Sequence, residues 1–360
     1  MKRRWVLLNP GPVNVTARVR RALAGPDVCH REPEFAAVLK SVRRRLLDAF
    51  GLERSHTVAV LTGSGTAALE AMLSSFANRD KKVLVLSNGV YGDRIRTILE
   101  RYGTPVKVLS APLGCFPSLT DIEQTLRADA SIRSVAMAHH ETSTGMLNPL
   151  NEVSRIAQRL GRTMLVDAVS SLGAERIDWD RIGLCAGSAG KCLNAYPGVA
   201  FVFLSKKEAA GLSRLKPRSL YLDLQNTLAY EEKDDTPFTP AVQLFYAFDE
   251  ALKELQKETV AKRIRVYARR AALLESGFRR MGLRFLVDAP HRSHVLTSLW
   301  MPPQIPYSKL HAGLKKAGFI IYAGQSQLAG KIFRVSNLGA MTDNDLRRFL
   351  KELSRLLKTK

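Results

Sequence analysis

Met164-Leu165-Val166-Asp167 closes a short apolar run on a carboxylate, and Gly187-Ser188-Ala189-Gly190-Lys191-Cys192 follows with a lysine among small residues. The first piece reads as a buried strand with Asp167 at its C-terminal end. The second reads as a turn that leads through Asn194-Ala195-Tyr196-Pro197-Gly198 into another apolar run, Val199-Ala200-Phe201-Val202-Phe203-Leu204. Outward from this stretch the pattern repeats. Val58-Ala59-Val60-Leu61 precedes a helical pattern through Leu69 and Leu73, and Val83-Leu84-Val85-Leu86 precedes one starting near Tyr91. Val106-Lys107-Val108-Leu109 leads to one over residues 119–126, and Val135-Ala136-Met137-Ala138 to one over residues 153–160. Strands alternating with helices predict an α/β fold, a mainly parallel mixed sheet covered by helices on both faces. Ligands of such sheets bind beyond the strand C-termini, which is where Asp167 falls.

After Thr236-Pro237-Phe238-Thr239-Pro240 the chain changes character. Long helical patterns over residues 242–255 and 260–281 give way to short strand-like pieces at 295–300, 319–322 and 332–335, mixed with helices near 308–316 and 343–357. The expected organisation is an N-terminal arm (1–15) packing near the small domain, a large domain (16–245) and a smaller α+β C-terminal domain (246–360). No internal repeat or low-complexity segment is present.

A lysine amine attacks a carbonyl when it is uncharged, and burial favours the uncharged form. A carboxylate beside a pyridine nitrogen keeps that nitrogen protonated and makes the ring an electron sink. Asp167 and Lys191 together therefore point to pyridoxal 5'-phosphate. An aspartate at a strand end is also an ordinary cap, and a lysine after glycine an ordinary surface residue. The enclosure of Lys191 by small residues ahead of a buried run favours the cofactor.

The 360 residues are 46% hydrophobic and 24% charged, an ordinary globular composition. No apolar run is long enough to span a bilayer, and Met1-Lys2-Arg3-Arg4-Trp5 leads into no signal-peptide core, so a cytoplasmic location without membrane attachment is expected. The four cysteines form no CxxC pair, which disfavours a zinc site or a disulfide framework. The net charge of +22 invites a polyanion partner, but the basic residues are dispersed, with no aromatic-interleaved stripe. A solvated basic surface that attracts small anionic substrates is the expectation, and a nucleic-acid or other polyanion binder without catalysis is the reading from a different class.

Thr62-Gly63-Ser64-Gly65-Thr66 lies between a strand and a helix, where backbone N–H groups and hydroxyls can cradle a phosphate. The loose dinucleotide pattern GxGxxA fits here too, but the next strand ends in Leu86-Ser87-Asn88-Gly89 without the acidic residue that would bind ribose. Gly190-Lys191 is followed by Cys192, so it is no Walker A motif. His139 and His140 are adjacent on a strand and point to opposite faces, which argues against a shared metal ion; none is expected. Thr142 offers a hydroxyl at a strand's C-terminal edge, and Tyr91 a ring that can stack on a planar cofactor. Arg334 is a charge inside the apolar strand Phe333-Arg334-Val335 and suits either a structural ion pair or an acidic substrate group.

With these residues assembled, the chain resembles the class V, fold-type I pyridoxal phosphate aminotransferases, most closely the branch that moves the amino group of 2-aminoethylphosphonate to pyruvate. The likeness runs through Leu8-Asn9-Pro10-Gly11-Pro12, Ser87-Asn88-Gly89-Val90-Tyr91-Gly92, Glu141-Thr142-Ser143-Thr144-Gly145, Val166-Asp167-Ala168-Val169-Ser170-Ser171, Lys191-Cys192, Arg218-Ser219-Leu220-Tyr221 and Phe333 to Gly339. It implies that Lys191 bonds the cofactor and shuttles a proton, that Asp167 pairs with the pyridine nitrogen, that Tyr91 stacks and that Thr142 bonds the ring oxygen. It also implies that Ser64, Gly65 and Thr66 hold the phosphate with Ser188 close by, that Thr239 joins from the partner of a homodimer with shared sites, and that Arg334 binds the acidic group of the amino donor. The products would be phosphonoacetaldehyde and L-alanine, from a small anionic donor and a 2-oxo acid acceptor in a ping-pong reaction. Alanine:glyoxylate or serine:pyruvate transfer on the same scaffold is the alternative. Two departures bear on the substrate: Gly190 stands where relatives commonly carry Asn or Gln, and Cys29-His30-Arg31-Glu32 differs from the phosphonate enzymes. His30 and Arg31 therefore form either a differently tuned anion site or a surface turn with a salt bridge.

Overall fold

The computed structural model describes residues 5–76 and 81–358. At its centre are seven strands, β1 (His56–Gly63), β2 (Lys82–Ser87), β3 (Val106–Ser110), β4 (Ile132–Ala138), β5 (Thr163–Asp167), β6 (Leu184–Ser188) and β7 (Gly198–Ser205), in the spatial order β1-β7-β6-β5-β4-β2-β3. Only β7 runs antiparallel to its neighbours, so the sheet is mixed and mainly parallel, as the alternation of strands and helices predicts. The helices that matter below are α1 (Pro33–Phe50), α2 (Gly65–Phe76), α3 (Val90–Arg101), α4 (Val242–Glu258), α5 (Val260–Arg280) and α6 (Asp343–Lys358).

Alternate residues along each strand enter different cores. Val58, Val60, Met164, Val166, Phe201 and Phe203 pack with Phe35, Leu39 and Val42 of α1 and Phe245, Phe248 and Leu252 of α4. Ala59, Leu61, Leu165, Ala200 and Val202 pack with Leu69 and Met72 of α2 and Ile95 and Leu99 of α3. A sheet covered on both faces has no use for polar alternation, which is why its strands read as unbroken apolar runs.

Two elements escape a reading by apolar pattern. Helix α1 starts on Pro33 and ends on Gly51 with φ 67°, the usual asymmetry of helix ends. Residues 184–188 form a fully buried inner strand where the small-residue stretch reads as the approach to a turn. The smallness has a packing cause: a Cβ at Gly187 would run into the ring of Phe201 on the neighbouring strand.

A second core gathers Val6 and Leu8 from the N-terminal arm with Leu274 and Phe278 of α5, Phe333 and Val335, and Phe349 of α6. Its small antiparallel sheet has the order β8 (Leu296–Trp300), β10 (Ile332–Ser336), β9 (Tyr322–Ala323). The arm adds Val6–Leu7 in parallel to Phe319–Ile320, and Asn14 bridges to Gly339. Helix α4 continues past residue 245 while still packing on the large sheet through Phe248, Ala251 and Leu255, and Thr259, with φ 72°, separates it from α5. No described helix is long and apolar enough to cross a membrane.

Phe201 is fully buried, with ring centroids 5.4 Å from Phe203 and 5.8 Å from Phe248. Phe201→Ala is expected to cost about 3–5 kcal/mol in a denaturant unfolding curve; a loss within about 1 kcal/mol would mean that this part of the core collapses around the vacancy.

Candidate active site

The parallel strands deliver their C-terminal ends to one edge of the sheet, and Asp167 ends β5 there in register between Ala138 of β4 and Ala186 of β6. Two alanines as lateral neighbours leave its carboxylate room above the sheet edge. The side chain is buried, and its one hydrogen bond among the described residues comes from Val169 N–H to Oδ1 at 3.0 Å. Burial pushes its carboxyl pKa up, opposed by that bond and by the positive charges of Arg94 and Lys191.

Lys191 follows β6 on a turn closed by Asn194 N–H to Lys191 O at 3.0 Å, with Asn194 in the left-handed region at φ 59°. The turn is fastened from α5: Arg263 donates to Cys192 O at 3.2 Å, and the Tyr267 hydroxyl lies 3.2 Å from Cys192 O and 2.9 Å from Asn194 Oδ1. Burial lowers the Lys191 amine pKa, which favours the nucleophilic neutral form. Its Nζ donates to Pro10 O of the arm at 2.5 Å. Gly11, at φ 128°, must remain glycine for this approach, because a Cβ there would sit 2.9 Å from Lys191 Cδ.

A cavity of about 260 Å³ opens between these groups. Ser64, Gly65, Thr66, Tyr91, Asp167, Ser188 and Lys191, all expected from the sequence, border it. Ser64 to Thr66 stand at the start of α2, ahead of its first hydrogen bonds, which Ala67 and Ala68 N–H donate to Ser64 O, and at the positive end of the helix dipole. Tyr91 is set by the start of α3, where buried Glu141 accepts from Tyr91 N–H at 3.0 Å and Gly92 N–H at 3.2 Å. Burial raises the Glu141 pKa, and bonds from Ser143 and those two N–H groups oppose the rise. In the sequence Glu141 stands only as part of the stretch Glu141 to Gly145; its part in holding α3 depends on a long-range contact that no local motif signals.

Beside the cavity, Arg334 on β10 is 2% exposed. Nε donates to Ala323 O at 2.9 Å, and NH1 donates to Thr142 O at 2.8 Å and Gln325 Oε1 at 3.2 Å. No carboxylate lies within ion-pair distance among the described residues, so the structural ion pair left open by the sequence is absent. The hydroxyl of buried Thr142 makes no hydrogen bond among these residues.

Three expected residues lie elsewhere in the subunit. Arg31 is on the surface, 2.8 Å from Asp235 and 2.6 Å from Thr236 O, and neither it nor His30 borders the cavity. Within the subunit the Arg31 guanidinium takes part in a surface salt bridge with Asp235. Thr239 is exposed and lines a separate small pocket with Thr62, Tyr221 and Phe238. Arg94 also borders the cavity, a residue to which the sequence analysis gave no role.

These residues fit pyridoxal phosphate. A desolvated carboxylate with one weak donor is suited to a protonated pyridine nitrogen, and a helix start with two hydroxyls is suited to a phosphate. The lysine, the carboxylate and the cup at one edge of a mainly parallel sheet define a fold-type I pyridoxal phosphate enzyme. The profile of the family described as aminotransferase class-V matches residues 16–349, and the chain belongs to that family of pyridoxal phosphate-dependent aminotransferases. It is 34% identical to a Pseudomonas aeruginosa protein named 2-aminoethylphosphonate–pyruvate transaminase, covering 98% of this chain and 96% of that one. Among solved structures it is similar to an alanine–glyoxylate aminotransferase from Nostoc sp. (TM-score 0.93, 27% identity, 99% and 96% of the two chains). An aspartate aminotransferase from Thermus thermophilus is also similar (TM-score 0.90, 29% identity, 98% and 99%).

Behind the site, His139 and His140 are buried with one ring nitrogen each lacking a partner, Nδ1 of His139 and Nε2 of His140. Burial pushes both down to about 4. Unfolded histidine protonates near pH 6.5, above the folded value, so folding excludes protons. Their stabilising contribution is complete above about pH 6.5 and is lost as pH falls toward 4, on the order of 3 kcal/mol for each. Denaturant midpoints are expected to drop across this window, and His139→Gln to flatten the drop; an unchanged slope in the variant would show that His139 titrates normally.

Proposed function

We propose that this aminotransferase moves the amino group of 2-aminoethylphosphonate to pyruvate, giving phosphonoacetaldehyde and L-alanine in two half-reactions at one site. The observation that carries the reading is Arg334, a buried guanidinium whose three protein partners are all neutral oxygens. A buried cation without a counter-ion is costly, and a phosphonate or carboxylate supplies that counter-ion through charge-assisted hydrogen bonds. The donor's phosphonate and the acceptor's carboxylate would take turns there. The name of the Pseudomonas aeruginosa relative supports the phosphonate as donor. The Nostoc structure keeps alanine or serine as the alternative donor.

Bound pyridoxal phosphate supplies the electron sink that lets a Cα–H bond break. Asp167 would hold the proton on the pyridine nitrogen, and Tyr91 would hold the ring plane. Thr142 would orient the ring oxygen through its free hydroxyl. Lys191 Nζ, its pKa lowered by burial, would take the proton from the amine-bearing carbon and return it to the opposite end of the reacting system. Ser64, Gly65, Thr66 and Ser188 would hold the phosphate end.

A second copy of the chain would complete the site with Thr239. Leu220 is 80% exposed and Tyr221 45% exposed, with the Tyr221 hydroxyl 3.2 Å from Thr62 O beside the cup. An apolar patch at that place is what a homodimer with shared sites would cover. A cytoplasmic location accords with this reading.

The visible spectrum of the cofactor-loaded protein tests the donor. 2-Aminoethylphosphonate alone is expected to bleach the lysine-bound cofactor band and raise the amine-form band, whereas bleaching by alanine or serine only would move the assignment to the alternative. Lys191→Ala is expected to abolish turnover; normal multiple turnover would refute its role. Arg334→Gln is expected to raise KM for both substrates roughly tenfold to a hundredfold with cofactor affinity unchanged.

A further inference from the structure

Arg94 lies on α3, one helical turn after Tyr91, and borders the cavity with Ser64, Gly65 and Thr66. Its NH1 donates to Thr66 Oγ1 at 3.1 Å, and its guanidinium carbon stands 4.6 Å from the centroid of the Tyr91 ring. Among the described residues no carboxylate lies within ion-pair distance of it. Its neighbour Asp93 accepts instead from the Ser87 hydroxyl at 2.9 Å. The guanidinium is thus oriented by a hydroxyl and an aromatic face, and its charge has no protein counter-ion.

The cup itself is electrically incomplete. Ser64, Gly65, Thr66 and Ser188 are neutral, while a phosphate monoester carries a charge of about −1.5 to −2 at neutral pH. Lys191 would be engaged at the carbonyl end of the cofactor, and Arg334 is anchored to Thr142 O and Ala323 O on the other side. Among the described residues, Arg94 is then the cation beside Ser64, Gly65 and Thr66.

We propose that Arg94 is a cofactor-binding residue whose guanidinium pairs with the phosphate oxygens of pyridoxal phosphate, with Thr66 Oγ1 and the Tyr91 ring fixing its orientation. The proposal rests on residues 64–66 being the phosphate cup. A planar fork offers two donors to one phosphate, which a lysine does not reproduce. The stacking partner of the ring and the counter-charge of the phosphate then stand at i and i+3 of one helix, so a single element aligns both ends of the cofactor. The same charge reaches inward, favouring ionised Asp167 and disfavouring protonated Lys191.

Pyridoxal phosphate and pyridoxal differ only in the group that Arg94 would bind. Wild type, Arg94→Gln and Arg94→Lys are to be titrated with each, reading the visible absorbance of the lysine-bound chromophore to obtain dissociation constants. Arg94→Gln is expected to weaken pyridoxal phosphate roughly tenfold to a hundredfold and to leave pyridoxal unchanged, with Arg94→Lys in between. Equal weakening of both ligands, or of neither, overturns the proposal. Should the glutamine variant fail to fold, Arg94→Lys, which keeps the charge and the aliphatic stem, decides it by the same comparison. Wild type that binds pyridoxal as tightly as pyridoxal phosphate would remove the phosphate cup and with it the role of Arg94. The amino-transfer reading stands or falls separately, on the spectral response to 2-aminoethylphosphonate.

Discussion

The carboxylate of Asp167 has been taken out of water with a single hydrogen bond to replace its hydration. An ion treated in this way is stable only if a cation comes to it, and otherwise it takes up a proton. That constraint organises the site. The sheet must end on small residues, Ala138 and Ala186, so that a cationic ring can stand above the carboxylate. The lysine must arrive from the adjacent strand end, and the turn that carries it is tied down by Arg263 and Tyr267 rather than left to its own geometry. In a fold whose chemistry depends on withdrawing electrons into a ring, a buried Asp167 would be a counter-ion that solvent does not screen.

Positive charge is abundant on this chain, but most of it is remote from the chemistry. Pairs such as Arg127 and Arg159 with Glu123, or Arg348 with Asp345, lie on exposed helix surfaces where ion pairs contribute about 0–1 kcal/mol. Their collective effect is a surface potential that raises the local concentration of small anions. Two arginines at the cavity differ in kind. Among the described residues, Arg94 and Arg334 have hydrogen-bond partners but no carboxylate within ion-pair distance, so each is oriented without being paired. One lies toward the helix start of the cup and the other toward Thr142, and a molecule bound between them meets positive charge at both ends.

Much of the large domain was legible because a doubly covered sheet leaves its strands as apolar runs that local pattern detects. Residues 184–188 were not read as a strand, since Gly187 is small for the benefit of Phe201 across the ladder, a relation that exists only after folding. Lys191, Asp167 and Ser64 to Thr66 were legible as residue types at strand and helix ends. Glu141, Tyr267 and Arg94 were not, because each acts through a partner more than twenty residues away: α3 for Glu141, the lysine turn for Tyr267, Thr66 for Arg94. The turn at His30 and Arg31 carried two readings, and the salt bridge that Arg31 makes runs to Asp235, 204 positions along the chain, where no local pattern reaches.

The arm that supplies Pro10 and Gly11 to the lysine is held by hydrogen bonds from Val6 N–H to Gly318 O, from Leu8 N–H to Ile320 O and from Ser336 N–H to Leu8 O. Arm residues thus find these partners only far downstream, at positions 318 to 336 of the chain. The large sheet can form as soon as β7 emerges, but the backbone anchors of the arm that meets the Lys191 amine do not exist until synthesis reaches residue 318, and they are complete only at residue 336. Completion of the pocket therefore trails formation of the sheet in the nascent chain, and a polypeptide cut short ahead of residue 318 would carry its lysine beneath an arm without these backbone hydrogen bonds.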